Sequence, residues 1–422
     1  MTERRTVSAS PLSSLLFGLM ACLLISAPLS RGHAQGEEED SRGLAREASG
    51  SAREPGGPSQ AASGAALDPA ARLLESGPAS EYWTLFIDLD SGHRITQRFL
   101  LTNAGPGRHT AVAIGHLIEP GRAPYRYENG RRRSRWTLSE DRLFFDIAAS
   151  HLDLHRPRGE LRISKEDVQI QLFFEFGASQ PSARVPRDRL PEDYSIDLLA
   201  VGAETYGTIR GPWMPEPIET RGRVWLLHTW TTRAESDAIG RRVELFGTTA
   251  ETAFYGLRIG DAGVADRSWH FVRSGSDEIT EDQVHVPARW LEAPIPEGTG
   301  ESRGYPLPGR FVGSFPEREE SGAARRGEIT IGPEWLRYDP LDPIPQPFRW
   351  FFRRTTRPRE VWADARIEVT LSTSPDTPSL PNAGERASEI PSNSNRETDD
   401  ETAHRSVKGV ASITFLNPIE RR

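Results

Sequence analysis

The chain has 422 residues, 36% of them hydrophobic and 27% charged, with a formal net charge of -8 and a mean hydropathy of -0.54. That apolar content suffices for a core and excludes wholesale disorder. Only Leu12 to Ala27 is apolar enough to enter a bilayer, which excludes a polytopic membrane protein.

Residues 1–34 read as an export signal, with basic Arg4-Arg5, the apolar run Leu12 to Ala27, and small-x-small Gly32-His33-Ala34 before Gln35. The expected location is periplasmic or extracellular. Cys22 follows Leu19-Met20-Ala21, which has some lipobox character, but Leu23-Leu24-Ile25 stays apolar where a lipoprotein turns polar. Lipidation is therefore the disfavoured reading. Cleavage after Ala34 leaves a mature chain without cysteine, so disulfides, thiolate catalysis and Cys-ligated zinc drop out.

Residues 35–78 read as a disordered spacer, opening on Glu37-Glu38-Glu39-Asp40 and continuing in Gly, Ala, Ser and Pro. From Ala79 the pattern is β. Trp83, Leu85, Ile87 and Leu89 alternate with other residues, Ser91-Gly92 turns, and Ile95 to Leu101 returns. Ala111 to Ile118, Leu143 to Ala148, Leu161 to Ile163 and Val168 to Phe176 follow. The run Arg131-Arg132-Arg133-Ser134-Arg135, beside Glu128-Asn129-Gly130, reads as a solvated hairpin tip. With the acidic balance it argues against a nucleic-acid partner.

After Pro181, Pro186 and Pro191 come Ile196 to Val201, Val224 to Trp230, Val243 to Phe246, Thr252 to Ile259, Ser268 to Val272, Val284 to Val286 and Phe348 to Phe352. Low-complexity residues 374–404 separate two further strands, Ala365 to Thr373 and Ser406 to Leu416, and read as a disordered insertion between paired strands. Helical periodicity is absent, so the chain is all-β, of sandwich or barrel type. Turn residues from Tyr206 to Pro217 divide it into 79–205 and 206–422.

The most unusual segment is Arg221-Gly222-Arg223-Val224-Trp225-Leu226-Leu227-His228-Thr229-Trp230. On a strand, His228 and Trp230 share one face, and Trp225, Leu227 and Thr229 the other. An indole platform beside an imidazole could line a pocket; the alternative is a core histidine among packing aromatics. His151-Leu152-Asp153-Leu154-His155 has ligand-compatible spacing, but its leucines make the histidine face the wet side of an edge strand, and no metal is expected. No phosphate loop, dinucleotide fingerprint, zincin motif or nucleophile elbow is present, and no cofactor is expected.

Gly222 to Trp230 resembles the Gly-x-x-Trp-x-Asp-His-x-Trp strand of the lipocalin-like proteins that include carotenoid 1,2-hydratase, AttH and the eukaryotic survival factors. Ser80-Glu81-Tyr82-Trp83, with Asp88 to Gly92, is similar to their Glu-Trp-Trp-Tyr strand and turn. Leu143 to Asp146, Gly159 to Ile163 and Tyr206 to Ile209 resemble later strands. The resemblance implies two consecutive lipocalin-like antiparallel β-barrels around an apolar cavity. It departs at two places. Leu227 stands where the family has Asp. Phe254-Tyr255-Gly256-Leu257 keeps the tyrosine of the hydratases' Tyr-x-Asp but has Leu257 in place of the acid, and Asp261 and Asp266 sit in a glycine turn.

The leading expectation is an exported protein binding a hydrophobic small molecule, isoprenoid or lipid, with Trp83, Trp225 and Trp230 as ligand-binding residues. The alternatives are an enzyme of the same fold acting on an isoprenoid or polyketide, with His228 and Tyr255 as acid or base, and a non-catalytic envelope interaction protein. In the last, the acidic spacer would hold the β unit at a membrane surface as a peripheral partner.

Overall fold

In the computed structural model, residues 67–416 are described apart from 104–108, 132–134, 140–143, 156–157, 166, 176–181, 249–252, 261–266, 274–278, 283–309, 316–324, 343–345, 347–348, 351–352, 354–355 and 372–402. The export signal, Cys22, the spacer up to residue 66, Asp261, Asp266, Val284 to Val286 and nearly all of the insertion lie outside the described residues.

The fold is all-β, in two antiparallel sheets. The first holds β1 (Ser80–Leu89), β2 (Arg94–Thr102), β3 (Thr110–Ile118), β4 (Tyr125–Arg131), β5 (Thr137–Leu138) and β6 (Phe144–Ile147). It continues with β7 (Ser150–Asp153), β8 (Arg158–Lys165), β9 (Val168–Glu175), β10 (Ala183–Arg184), β11 (Tyr194–Arg210) and β12 (Ile218–Thr231). Its order is β4-β3-β2-β1-β12-β11-β9-β8-β7-β6-β5, with β10 on β11. The sheet curls until β6 lies against β3 and β4. The Asn129 amide then donates to Ser150 Oγ at 2.8 Å, and the Lys165 amine reaches the Glu128 carbonyl.

The second sheet holds β13 (Arg241–Thr248), β14 (Ala253–Gly260), β15 (Arg267–Arg273), β16 (Ile279–Asp282), β17 (Arg310–Phe315), β18 (Arg325–Tyr338), β19 (Arg359–Leu371) and β20 (Ala403–Phe415). Its order is β16-β15-β14-β13-β20-β19-β18-β17. β19 and β20 pair from Arg359↔Phe415 to Leu371↔Ala403, so residues 372–402 leave and rejoin the sheet at neighbouring points. Replacing 373–401 by a short turn is expected to raise stability by at most about 2 kcal/mol, because each halving of loop length saves only about 0.6 kcal/mol of closure entropy. Removing the last dozen residues cuts into the strand that joins β13 to β19 and should abolish the cooperative thermal transition. Circular dichroism melts check both.

Strands β1, β11 and β12 form a wall with both faces buried. Trp83, Leu85 and Ile87 of β1 face the interior of the curled first sheet with Val224 and Leu226. Phe86, Trp225 and Leu227 face the other way, against Phe246, Tyr255 and Trp362 of the second sheet. The two-residue period of a strand separates these sets, which is why β1 is buried along almost its whole length. Within β11, register shifts between Leu198 and Ala203 reassign side chains between the two cores. Gly202 there has φ 60°, and a Cβ on it would lie 2.3 Å from Ala253 of the second sheet.

Three expectations are corrected. The division between the sheets falls between Thr231 and Arg241, not at 206, because β11 runs unbroken from Tyr194 to Arg210. The spacer does not reach 78, since Leu67, Ala71 and Leu73 pack on the first core. Glu128 to Arg131 lie on β4 with Asn129 buried, and most of the arginine run read as a hairpin tip, residues 132–134, lies outside the described residues. Phe348 to Phe352 is no strand where described: Arg349 and Trp350 are helical, and the Arg353 N–H donates to the Arg349 carbonyl.

Candidate functional site

Register brings one row of side chains together inside the first sheet: Phe99 of β2, Trp83 of β1, His228 of β12 and Asp197 of β11 are successive cross-strand partners. Antiparallel partners share a face, so all four point inward. The neighbouring row sets Leu101, Glu81 and Trp230 side by side. His228 is fully buried and stacks on Trp83, with ring centroids 4.6 Å apart and planes at 12°. Trp230 lies 5.0 Å from the imidazole and is half-buried. Phe145 closes on Trp83 at 5.1 Å, and Trp136 stacks on Phe145 at 5.4 Å.

Glu81 is the group the sequence reading did not single out. Its Oε1 lies 2.7 Å from His228 Nε2, with the carboxylate 2% exposed. This contact fixes the imidazole's orientation and leaves Nδ1 buried without a partner among the described residues. The signal was a carboxylate two positions before Trp83 in a strand buried on both faces. Its partner is 147 residues away, and only the β1–β12 register joins them.

Two other inward polar atoms lack partners among the described residues. Gln97, Gly115 and Tyr127 are cross-strand neighbours on β2, β3 and β4. A Cβ at Gly115 would lie 2.4 Å from both Gln97 Oε1 and the Tyr127 ring, so the glycine makes room for them. Gln97 Oε1 and the Tyr127 hydroxyl are buried and unpartnered among the described residues. Burial pushes the Tyr127 phenol up from its ordinary value, which keeps it a neutral donor. Asp197 is satisfied instead, accepting from Arg184 Nε and Nη2 at 2.7 and 2.9 Å.

Trp225 and Tyr255 do not join this site. Both face the inter-sheet core, where the Trp225 indole donates to the Phe254 carbonyl at 3.0 Å and the Tyr255 hydroxyl to Glu244 Oε1 at 2.9 Å. Glu244 stands directly across from Leu257 on the next strand, so a carboxylate does reach Tyr255, from β13 rather than β14. Burial and Glu244 both push the Tyr255 phenol up. Around it, Arg242 donates to the hydroxyls of Tyr82 and Tyr194 and pairs with Glu235 and Glu244 at 3.0 and 3.1 Å. His151 packs edge-on against Phe144, Leu152 and Leu154 lie in the core, and Asp153 accepts the His155 N–H. No metal-binding cluster occurs among the described residues.

No protein-family model matches the chain, and no curated protein matches it significantly. Solved structures do. An AttH-like protein from Nitrosomonas europaea superposes with a TM-score of 0.52 at 12% identity, over 85% of this chain and 100% of that one. CghA crystallised with Sch210972 gives 0.50 at 10% identity, over 84% and 96%. Kievitone hydratase from Nectria haematococca gives 0.48 at 9%, over 84% and 95%. At these identities the likeness is one of fold: the chain has the two-sheet lipocalin-like fold of the AttH-like structures.

Proposed function

We propose that the first sheet is a chamber for a hydrophobic small molecule, an isoprenoid or lipid that carries a hydroxyl or carbonyl, and that the protein works outside the cytoplasm. The observation that carries this is the set of three buried polar atoms without partners among the described residues, His228 Nδ1, Gln97 Oε1 and Tyr127 OH, in an aromatic interior. Native cores pair nearly all such atoms, and an apolar pocket with a few aimed polar groups is the usual small-molecule site. Trp83 and Trp230 supply its aromatic wall; Trp225 serves the inter-sheet core.

The test sets stability against affinity. Tyr127→Phe removes an unpaired buried hydroxyl and is expected to raise stability by about 1–3 kcal/mol, while weakening binding of retinol, geraniol or palmitate read by tryptophan fluorescence. A variant of lower stability and unchanged binding, or a wild-type protein indifferent to the whole panel, sinks the reading. The His228–Glu81 contact favours a second version, in which the imidazole acts as a general base on the guest. Mass spectrometry of the recovered ligand separates the two, since a binding protein returns it unchanged.

A further inference from the structure

Residues 67–76 pack on the first core, and each of three site residues makes a polar contact with them. Glu81 accepts the N–H of Arg72 at 2.8 and 3.0 Å and that of Leu73 at 3.2 Å. The Trp83 indole donates to the Pro69 carbonyl at 3.1 Å. The Arg72 guanidinium lies 4.0 Å above the Trp230 ring. Leu67, Ala71 and Leu73 rest on the first core, only partly buried. Beside them, a depression of about 10 Å³ lined by Leu73, Glu81 and His109 has room for a single water.

We propose that residues 67–76 are a releasable strap, and that a ligand enters the chamber by displacing them and taking over their contacts. This rests on the chamber reading above. The contacts define the guest: a hydrogen-bond donor for Glu81, an acceptor for the Trp83 indole, and an apolar body where Leu67, Ala71 and Leu73 now lie. An isoprenoid alcohol satisfies the first and last of these through its hydroxyl hydrogen and chain, and its oxygen can serve the indole.

Two features mark the strap as releasable. Leu73 is held at φ 46°, a left-handed conformation disfavoured for a branched side chain, and its N–H on Glu81 is what holds it there. The far side is clamped by polar contacts rather than by a core, Asn103 donating to the Leu74 and Ser76 carbonyls and Ser76 Oγ to the Thr232 carbonyl. Two successive N–H groups converging on one carboxylate form a small anion nest, which a competing donor can replace.

Hydrogen exchange on the full chain tests this, with retinol as the probe. In the wild type, amides of Arg72 and Leu73 should be protected, and saturating retinol should deprotect them. Leu73→Pro removes one N–H and forbids the positive φ, leaving every chamber residue in place. It should release the strap and tighten apparent retinol affinity by about tenfold, by raising the competent fraction. Arg72→Ala should do the same more weakly. Strap amides that exchange freely in the unliganded wild type, or that stay protected when retinol is bound, overturn the strap. A strap freed by Leu73→Pro with retinol binding to neither protein overturns the chamber reading instead.

Discussion

Arg242→Ala is expected to destabilise the protein by about 3–5 kcal/mol, the cost of leaving buried partners of a charge uncompensated. Arg242 is 1% exposed. Its removal takes the positive charge from beside the buried Glu244 carboxylate, 3.1 Å away, while the Tyr82 and Tyr194 hydroxyls keep their bonds to Glu235. Burial pushes the Tyr82 and Tyr194 phenols up, so both stay neutral beside that carboxylate. Replacing charge and counter-charge together, as Arg242→Met with Glu244→Met, should cost far less, because matched apolar substitution avoids the desolvation of an unpaired ion. Urea titrations of the wild type, the single variant and the pair measure the difference. If the single and paired variants lose equal stability, packing volume rather than charge pairing holds the two sheets together.

The second expected result is an acid-labile inter-sheet region governed by His116. This side chain is 2% exposed, its Nδ1 is 3.1 Å from Thr96 Oγ1, and its ring lies 4.6 Å from that of Tyr338. Burial first, and then the Arg126 charge, lower its pKa from 6.5 to about 3. The unfolded chain therefore takes up a proton below about pH 6.5 that the folded chain refuses until about pH 3. Its contribution is complete above that range and is lost as pH falls, at up to about 1.4 kcal/mol per pH unit. Glu360 adds to the same trend at lower pH: burial alone would raise its pKa, but Arg98, 2.9 Å away, and Arg242 hold it below the ordinary value. Its stabilisation is thus also lost on acidification. Melting temperatures from pH 7 to 4 should fall steeply for the wild type. They should fall less for His116→Phe, and parallel curves would show that the folded chain takes up the imidazole proton as readily as the unfolded one.

Much of the fold was legible because a strand's two-residue period is written directly into the chain. The alternation placed His228 and Trp230 on one face of β12 and Trp225 on the other, as found. Alternation fixes parity and does not say which core each face meets, so Trp225 and Tyr255 were grouped with residues on the opposite side of the wall. β18 escaped notice because Gly332-Pro333 interrupts it; the register shift between Ile331 and Glu334 accommodates that interruption. Glu81 and His228 could be paired only by long-range strand register. The strap escaped for another reason. It acts largely through backbone N–H and carbonyl groups, which every residue carries, so its Ala- and Leu-bearing sequence resembled spacer.

The place of β20 has a consequence for how the protein is made. β20 lies between β13 and β19 in the second sheet, yet it is synthesised after both. As the polypeptide leaves the ribosome, β13 can pair with β14 and β18 with β19, giving two fragments with open edges. These stay unjoined until β20 and the residues 372–402 ahead of it have been translated. Exposed edges of that kind invite pairing with other chains. The last seam of the second sheet is therefore a late, non-local event, and chaperones that shield nascent edges should matter most for chains stalled just short of residue 403.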